Sequence, residues 1–190
     1  AYLDAKPDLM TRWKDKLADV DRPKVGLCWQ GCEHFRRDRA RSIPLERFRP
    51  LIEGPQAQVV SLQKGHGQEQ IEAAGLEEQL LDFTDEMDNG DDAFADTAAV
   101  IANLDLVITI DSAIAHLAGA MGKTVWVLVP FTPCWRWSLN SERSLWYPTV
   151  RLFRQQTPGD WDDVIGRVAQ ALQEQFPTES GPLQQVRDHI

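Results

Sequence analysis

The chain has 190 residues, 43% of them hydrophobic and 26% charged, with 29 acids against 20 bases for a net charge of −9. That balance describes an ordinary globular domain, excludes a disordered, collagen-like or fibrous chain, and argues against a nucleic-acid partner. No apolar run approaches the roughly 20 residues needed to span a bilayer, the start (Ala1 to Pro7) lacks a secretory signal, and three cysteines are too few and odd in number for a disulfide framework. A soluble, cytoplasmic protein is expected.

In chain order, Leu9, Met10, Trp13 and Leu17 carry the 3–4 spacing of an amphipathic helix over Asp8 to Asp19. Lys24 to Gln30 reads as a buried strand, followed by a loop to Ile43. Pro44 then opens a helix with Leu45, Phe48, Leu51 and Ile52 on one face. Ala57 to Leu62 is a second strand, a short helix ends near Ala74, and Leu80 to Phe83 is a third strand. Asp91-Asp92 opens a helix holding Phe94, Ala98, Val100 and Ile101 inside. Leu104 to Ile110 is a near-continuous β-branched run, the pattern of a strand covered on both faces. Asp111-Ser112 caps a helix from Ala113 to Met121, closed by Gly122. Strands at Thr124 to Val129 and Thr149 to Phe153, and a helix from Trp161 to Phe176, complete the pattern.

Strands alternating with helices predict an α/β fold, a doubly wound parallel sheet of about six strands with the first and fourth adjacent. The domain spans 24–176, after a leading helix and linker (1–23) and before a loose tail (177–190).

Charge is distributed unevenly. Gly65 to Gly122 contains no Lys or Arg and 13 acids, while Arg36, Arg37, Arg39 and Arg41 cluster in the loop after the first strand. Such a cluster fits a small anion, because planar guanidinium groups grip phosphate or carboxylate bidentately. Alternatively it is a solvated loop paired with the acidic stretch. Asp111 to His116 stands at a strand end and a helix start, where unpaired N–H groups and the helix dipole favour an anion; the other reading is an Asp/Ser cap with a core histidine. There is no three-glycine dinucleotide turn after the first strand and no phosphate-cradling Gly-x-x-x-x-Gly-Lys-Ser/Thr loop. Cys28, Cys32 and His34 lack zinc-site spacing, so no metal is expected. Cys134 reads as a packing thiol. The aromatic stretch Pro130 to Trp137, with Trp146-Tyr147, is a stacking wall, a docking surface or a satellite hydrophobic cluster.

Four segments together carry a more specific signal: Val25-Gly26-Leu27-Cys28-Trp29-Gln30-Gly31, Asp38-Arg39-Ala40-Arg41-Ser42-Ile43-Pro44-Leu45, Ser61-Leu62-Gln63-Lys64, and Asp111 to Lys123, with Trp135-Arg136-Trp137 behind them. In this order they resemble the C-terminal, nucleotide-binding half of glycosyltransferase family 9, the heptosyltransferase-like enzymes. They are similar also to the related domain at the C-terminus of bacterial tetratricopeptide-repeat (TPR) proteins. The resemblance implies one Rossmann-like half of a GT-B fold and a nucleotide diphosphate-sugar as donor substrate, with no further cofactor. It also implies that a second half or a TPR region belongs to a larger chain, and that the isolated domain is inactive in hexosyl or heptosyl transfer. It places Asp111, Ser112, Ala113 and His116 at the diphosphate, with Arg39 and Arg41 as basic partners. Gln63 and Lys64 fall near the ribose or sugar phosphate, and Phe83 near the base. Ala113 stands where the heptosyltransferases usually have Gly, and Gln63 where a ribose-binding carboxylate is common. The rival expectations are a non-catalytic nucleotide- or protein-binding module beside a repeat array, and half of a sugar-nucleotide epimerase.

Overall fold

A computed structural model of the protein describes residues 1–139 and 141–178. Six strands form one parallel sheet: β1 (Lys24–Cys28), β2 (Gln58–Ser61), β3 (Leu80–Leu81), β4 (Leu106–Ile110), β5 (Val125–Val129) and β6 (Val150–Arg154), in the order β3-β2-β1-β4-β5-β6. The expected neighbours β1 and β4 lie side by side, with Val25 opposite Leu106 and Cys28 opposite Thr109. The chain crosses from one side of the sheet to the other between them, so the space beyond their carboxyl ends is the switch-point crevice of a doubly wound fold. All five residues of β4 and of β5 are buried, as their near-continuous runs of apolar and β-branched residues require; the one polar member, Thr109, hydrogen-bonds Ile110 O.

Helices cover both faces. On one, Leu51 of the short helix α3 (Arg49–Ile52), Ile71 of α4 (Gln70–Ala74) and Val164, Val168 and Leu172 of α7 (Trp161–Gln175) meet Leu27, Leu106, Ile108 and Leu128. On the other, α1 (Pro7–Lys16), α5 (Ala95–Ala102) and α6 (Ala113–Ala120) bring Trp13, Val100, Ile101, Ile114 and Ala118 onto Val60, Val107 and Val127. Trp13 is fully buried, and its indole N–H donates to Asp96 Oδ1 at 2.7 Å, tying α1 to α5. Full burial of a large apolar side chain contributes about 1.5–3 kcal/mol, whereas the Lys6–Asp92 pair nearby is exposed and screened. The core therefore holds α1 in place.

Three local expectations are corrected. The helix expected from Asp91-Asp92 starts at Ala95, because Asp88, at φ 50°, caps it from a distance. Its Oδ1 accepts from Asp96 N at 2.7 Å and Thr97 N at 3.3 Å, while Asp96 Oδ2 accepts from Asp88 N. The chain between makes a tight excursion in which Phe94, at φ 64°, is turned out to solvent rather than inside. The segment after Pro44 is a 3₁₀ turn (Leu45–Phe48) running into α3, so two short pieces replace one helix; its apolar residues are nonetheless buried. The arginine-rich loop contains a single helical turn, α2 (Asp38–Arg41). The tail expected at 177–190 lies, beyond Thr178, outside the described residues.

Candidate functional site

The site is built where β1 and β4 end. Ser112 is the N-cap of α6, extended at φ −135° and ψ 176°, and its Oγ accepts from Ile114 N at 3.2 Å. Thr109 Oγ1 donates to Ile110 O (3.0 Å) and so accepts the Ser112 hydroxyl proton across 3.0 Å. The Ser112 side chain is thus committed to the cap, and what α6 offers a ligand is its dipole and the backbone N–H of its first turn. Cys28 lies beneath, its Sγ 3.8 Å from Ser112 Oγ, and burial pushes its thiol pKa up, which keeps it protonated and unreactive.

Arg41 reaches this helix terminus from α2. Its Nη1 donates to the Asp111 carbonyl at 2.6 Å and its Nε to Asp38 Oδ1 at 3.0 Å, while the Phe35 ring lies 4.6 Å from the guanidinium carbon. Asp38 is buried, and its other oxygen accepts from Ser42 Oγ (2.6 Å) and Gln30 Nε2 (3.1 Å). The pair packs on Gly31, where a Cβ would stand 2.0 Å from Asp38 Oδ1 and 2.7 Å from Arg41 Nη2. Only glycine leaves that room.

His116 sits one turn into α6, stacked on the buried Trp137 ring at 5.2 Å and 17°, with Nδ1 3.1 Å from the Tyr147 hydroxyl. Burial is the main cause that lowers its pKa below 6.5; Asp111 opposes this and Arg136 adds to it. The imidazole is therefore neutral near pH 7 in the free protein.

An open cavity of about 490 Å³ lies at this helix terminus. Of the predicted residues, Arg41, Asp111, Ser112, Ala113 and His116 face it, and Phe35, Cys134 and Arg136 complete the wall. The other four predicted residues stand elsewhere. Arg39 is exposed and does not line the cavity. Gln63 is buried, its Oε1 accepting from Trp29 N (3.2 Å) and Gln30 N (2.9 Å) and its Nε2 donating to His66 O (2.7 Å). It staples the loop after β1 to the loop after β2. Lys64 is exposed and bonds the Met87 carbonyl. Phe83 packs edge-on against Trp13 at 5.8 Å, on the second core.

Sequence reading missed Arg136 and Phe35 as site residues. Arg136 does lie in the aromatic stretch after β5, on the same sheet rim, and its Nη1 donates to Cys134 Sγ at 3.1 Å. Its position between two tryptophans was the available signal. Among the described residues no group of three His, Cys, Asp or Glu side chains converges as a metal site, and no helix is long and apolar enough to cross a membrane.

The family model for glycosyltransferase family 9 (heptosyltransferase) matches residues 3–137. The chain is 34% identical over 183 residues to Protein FlbA of Caulobacter vibrioides, covering 92% of this chain and 29% of that protein. The solved structure of E. coli ADP-heptose lipopolysaccharide heptosyltransferase II superposes with a TM-score of 0.61 at 19% identity, over 91% of this chain and 53% of that one. A glycosyltransferase family 9 structure from Veillonella parvula gives a TM-score of 0.62 at 13% identity, over 92% and 54%. The chain thus spans less than a third of the curated relative and about half of either solved structure.

Proposed function

The chain belongs to glycosyltransferase family 9, and we propose that it is the donor-binding half of a two-domain sugar transferase, holding a nucleotide diphosphate-sugar with the diphosphate at the start of α6. The observation that carries this reading is the meeting of Arg41, Arg136, His116 and the N-terminal turn of α6 around one cavity. At about 490 Å³ it falls in the range of roughly 300–1,000 Å³ usual for small-ligand sites. Its cations and helix dipole suit two adjoining phosphates better than a neutral sugar.

In transfer, the bond between the anomeric carbon and the diphosphate breaks, and negative charge grows on the departing phosphate. The Arg41 guanidinium, held by two hydrogen bonds before any ligand arrives, stabilises that charge with little reorganisation. The α6 N-terminus acts in the same sense, as does His116, which is neutral in the free protein and takes up a proton from solvent when the diphosphate binds. In the whole protein, the acceptor site and the general base belong to a partner half; that the chain spans about half of the family structures it matches supports this arrangement.

A thermal-shift panel of nucleoside diphosphates and their sugar conjugates tests the reading. Stabilisation by one base series, lost in Arg41→Ala, is expected. No stabilisation by any nucleoside diphosphate or sugar conjugate would overturn the reading, and binding of a protein ligand instead would favour the non-catalytic module.

A further inference from the structure

We propose that Asp38 is the positioning residue of this site: its buried carboxylate fixes the Arg41 guanidinium at the start of α6, so that anion affinity depends on a residue that does not itself line the cavity. The inference rests on the donor-site reading above and names the device behind it.

Arginine has five N–H donors in a rigid plane. Two hydrogen bonds, Nε to Asp38 Oδ1 and Nη1 to the Asp111 carbonyl, fix that plane at both ends and leave three N–H groups for a ligand. Each surrounding contact secures the carboxylate in turn. Ser42 Oγ and Gln30 Nε2 occupy Oδ2, and Gln30 is itself held, its backbone N–H by Gln63 Oε1 and its side-chain oxygen by Gln70 Nε2 (3.3 Å). Gly31 supplies the missing volume, and Phe35 covers the guanidinium. A polar chain therefore runs Gln63–Gln30–Asp38–Arg41–Asp111, linking the carboxyl ends of β2, β1 and β4. Within it Gln63, whose sequence position suggests a ribose contact, buttresses the site.

A carboxylate beside an anion site is electrostatically unfavourable for an anion. Charge alone thus predicts tighter binding when Asp38 is neutralised, and positioning predicts weaker binding. The two have opposite signs, which makes the test decisive. Calorimetry with ADP and UDP compares wild type, Asp38→Asn, Arg41→Ala and the double variant. Expected are about a tenfold loss in Asp38→Asn and no further loss when Asp38→Asn is added to Arg41→Ala. Unchanged or tighter binding in Asp38→Asn, or losses that add in the double variant, would overturn the proposal. If Asp38→Asn does not fold, Gly31→Ala displaces the same pair and carries the same expectation.

A ligand-independent readout separates this proposal from the donor-site reading. The Arg41 Nε–H NMR signal is expected to be shielded from solvent exchange in wild type and exposed in Asp38→Asn. Equal exchange in both refutes the positioning role. Shielding that is lost as expected, in a protein that binds neither ADP nor UDP, retires the donor-site reading alone.

Discussion

The Tyr147 hydroxyl stands 3.1 Å from His116 Nδ1, and Gly119 makes that meeting possible. A Cβ at Gly119 would lie 2.7 Å from Tyr147 Cγ and 3.0 Å from both Cδ atoms, so the ring lies flat on α6 only because that position is bare. Burial, helped by its contact with Tyr2, pushes the Tyr147 pKa up to about 12. The phenol thus stays protonated throughout the neutral range and holds one side of the imidazole, while His116 lines the cavity.

Gly119→Ala is expected to destabilise the fold by about 1–3 kcal/mol, the usual range for overpacking a filled site. Tyr147→Phe, which keeps the ring and loses only the hydroxyl, is expected to cost about 1 kcal/mol. Urea denaturation of both variants measures the difference, and equal costs would mean the ring is not confined by α6.

Ligand affinity is expected to rise as pH falls from 8 towards 6. Free His116 has its pKa lowered below 6.5, and a bound diphosphate favours the imidazolium, so binding draws in a proton. ADP-glucose and UDP-glucose are suitable probes, since their diphosphate has no group titrating in that window. Calorimetry in buffers of different ionisation enthalpy should show proton uptake in wild type and none in His116→Gln. Without ligand the same lowered pKa acts on stability: the unfolded chain takes up the proton first, so His116's contribution is lost as pH drops below about 6.5.

Ser112→Asp and Ser112→Ala should part company. Aspartate is as good an N-cap as serine, so Ser112→Asp keeps the helix start but sets a negative charge in the cavity and should abolish nucleotide binding with the melting temperature nearly unchanged. Ser112→Ala removes the cap, costs about 1 kcal/mol, and should retain binding through the backbone N–H groups. Retained affinity in Ser112→Asp would place the ligand elsewhere.

Single arginine replacements should separate the two predicted basic partners. Arg41→Ala is expected to weaken nucleotide binding by about tenfold or more, as for loss of a hydrogen bond to a charged group, whereas Arg39→Ala, at an exposed position away from the cavity, should change it little. Titrations at low and high salt check this. An equal loss in both would point to general charge attraction instead of a defined contact.

The sheet order and the α6 terminus were legible because they rest on local, repetitive signals: β-branched runs in β4 and β5, and an Asp-Ser pair followed by small residues. Their burial and capping follow from the run itself. What escaped depended on contacts between distant segments. Asp88 caps α5 by reaching across a tight excursion, so Asp91 and Asp92, the nearer acids, were the natural but wrong choice. Gln63 and Arg39 carry the right chemistry for a ligand, yet one is buried holding two loops and the other turns outward. Nothing in their neighbouring residues distinguishes those fates from that of Arg41. Arg136 reaches the cavity through a long-range contact, the stacking of its neighbour Trp137 on His116.

Every one of the five strand pairings in the sheet is parallel. Among the described residues no tight hairpin joins two of these strands, so no pairing can form until a long crossover has been closed and ordered. The domain is accordingly expected to fold slowly for its size, its rate limited by loop closure around β1 and β4, since chains dominated by non-local pairings pay that entropy before contacts reward it. Until that happens β4, apolar at four of its five positions, has both hydrogen-bonding edges open to other chains. During synthesis this interval is when the protein is most prone to aggregate, and a fragment ending before β4 would lack the central strand against which β1 pairs.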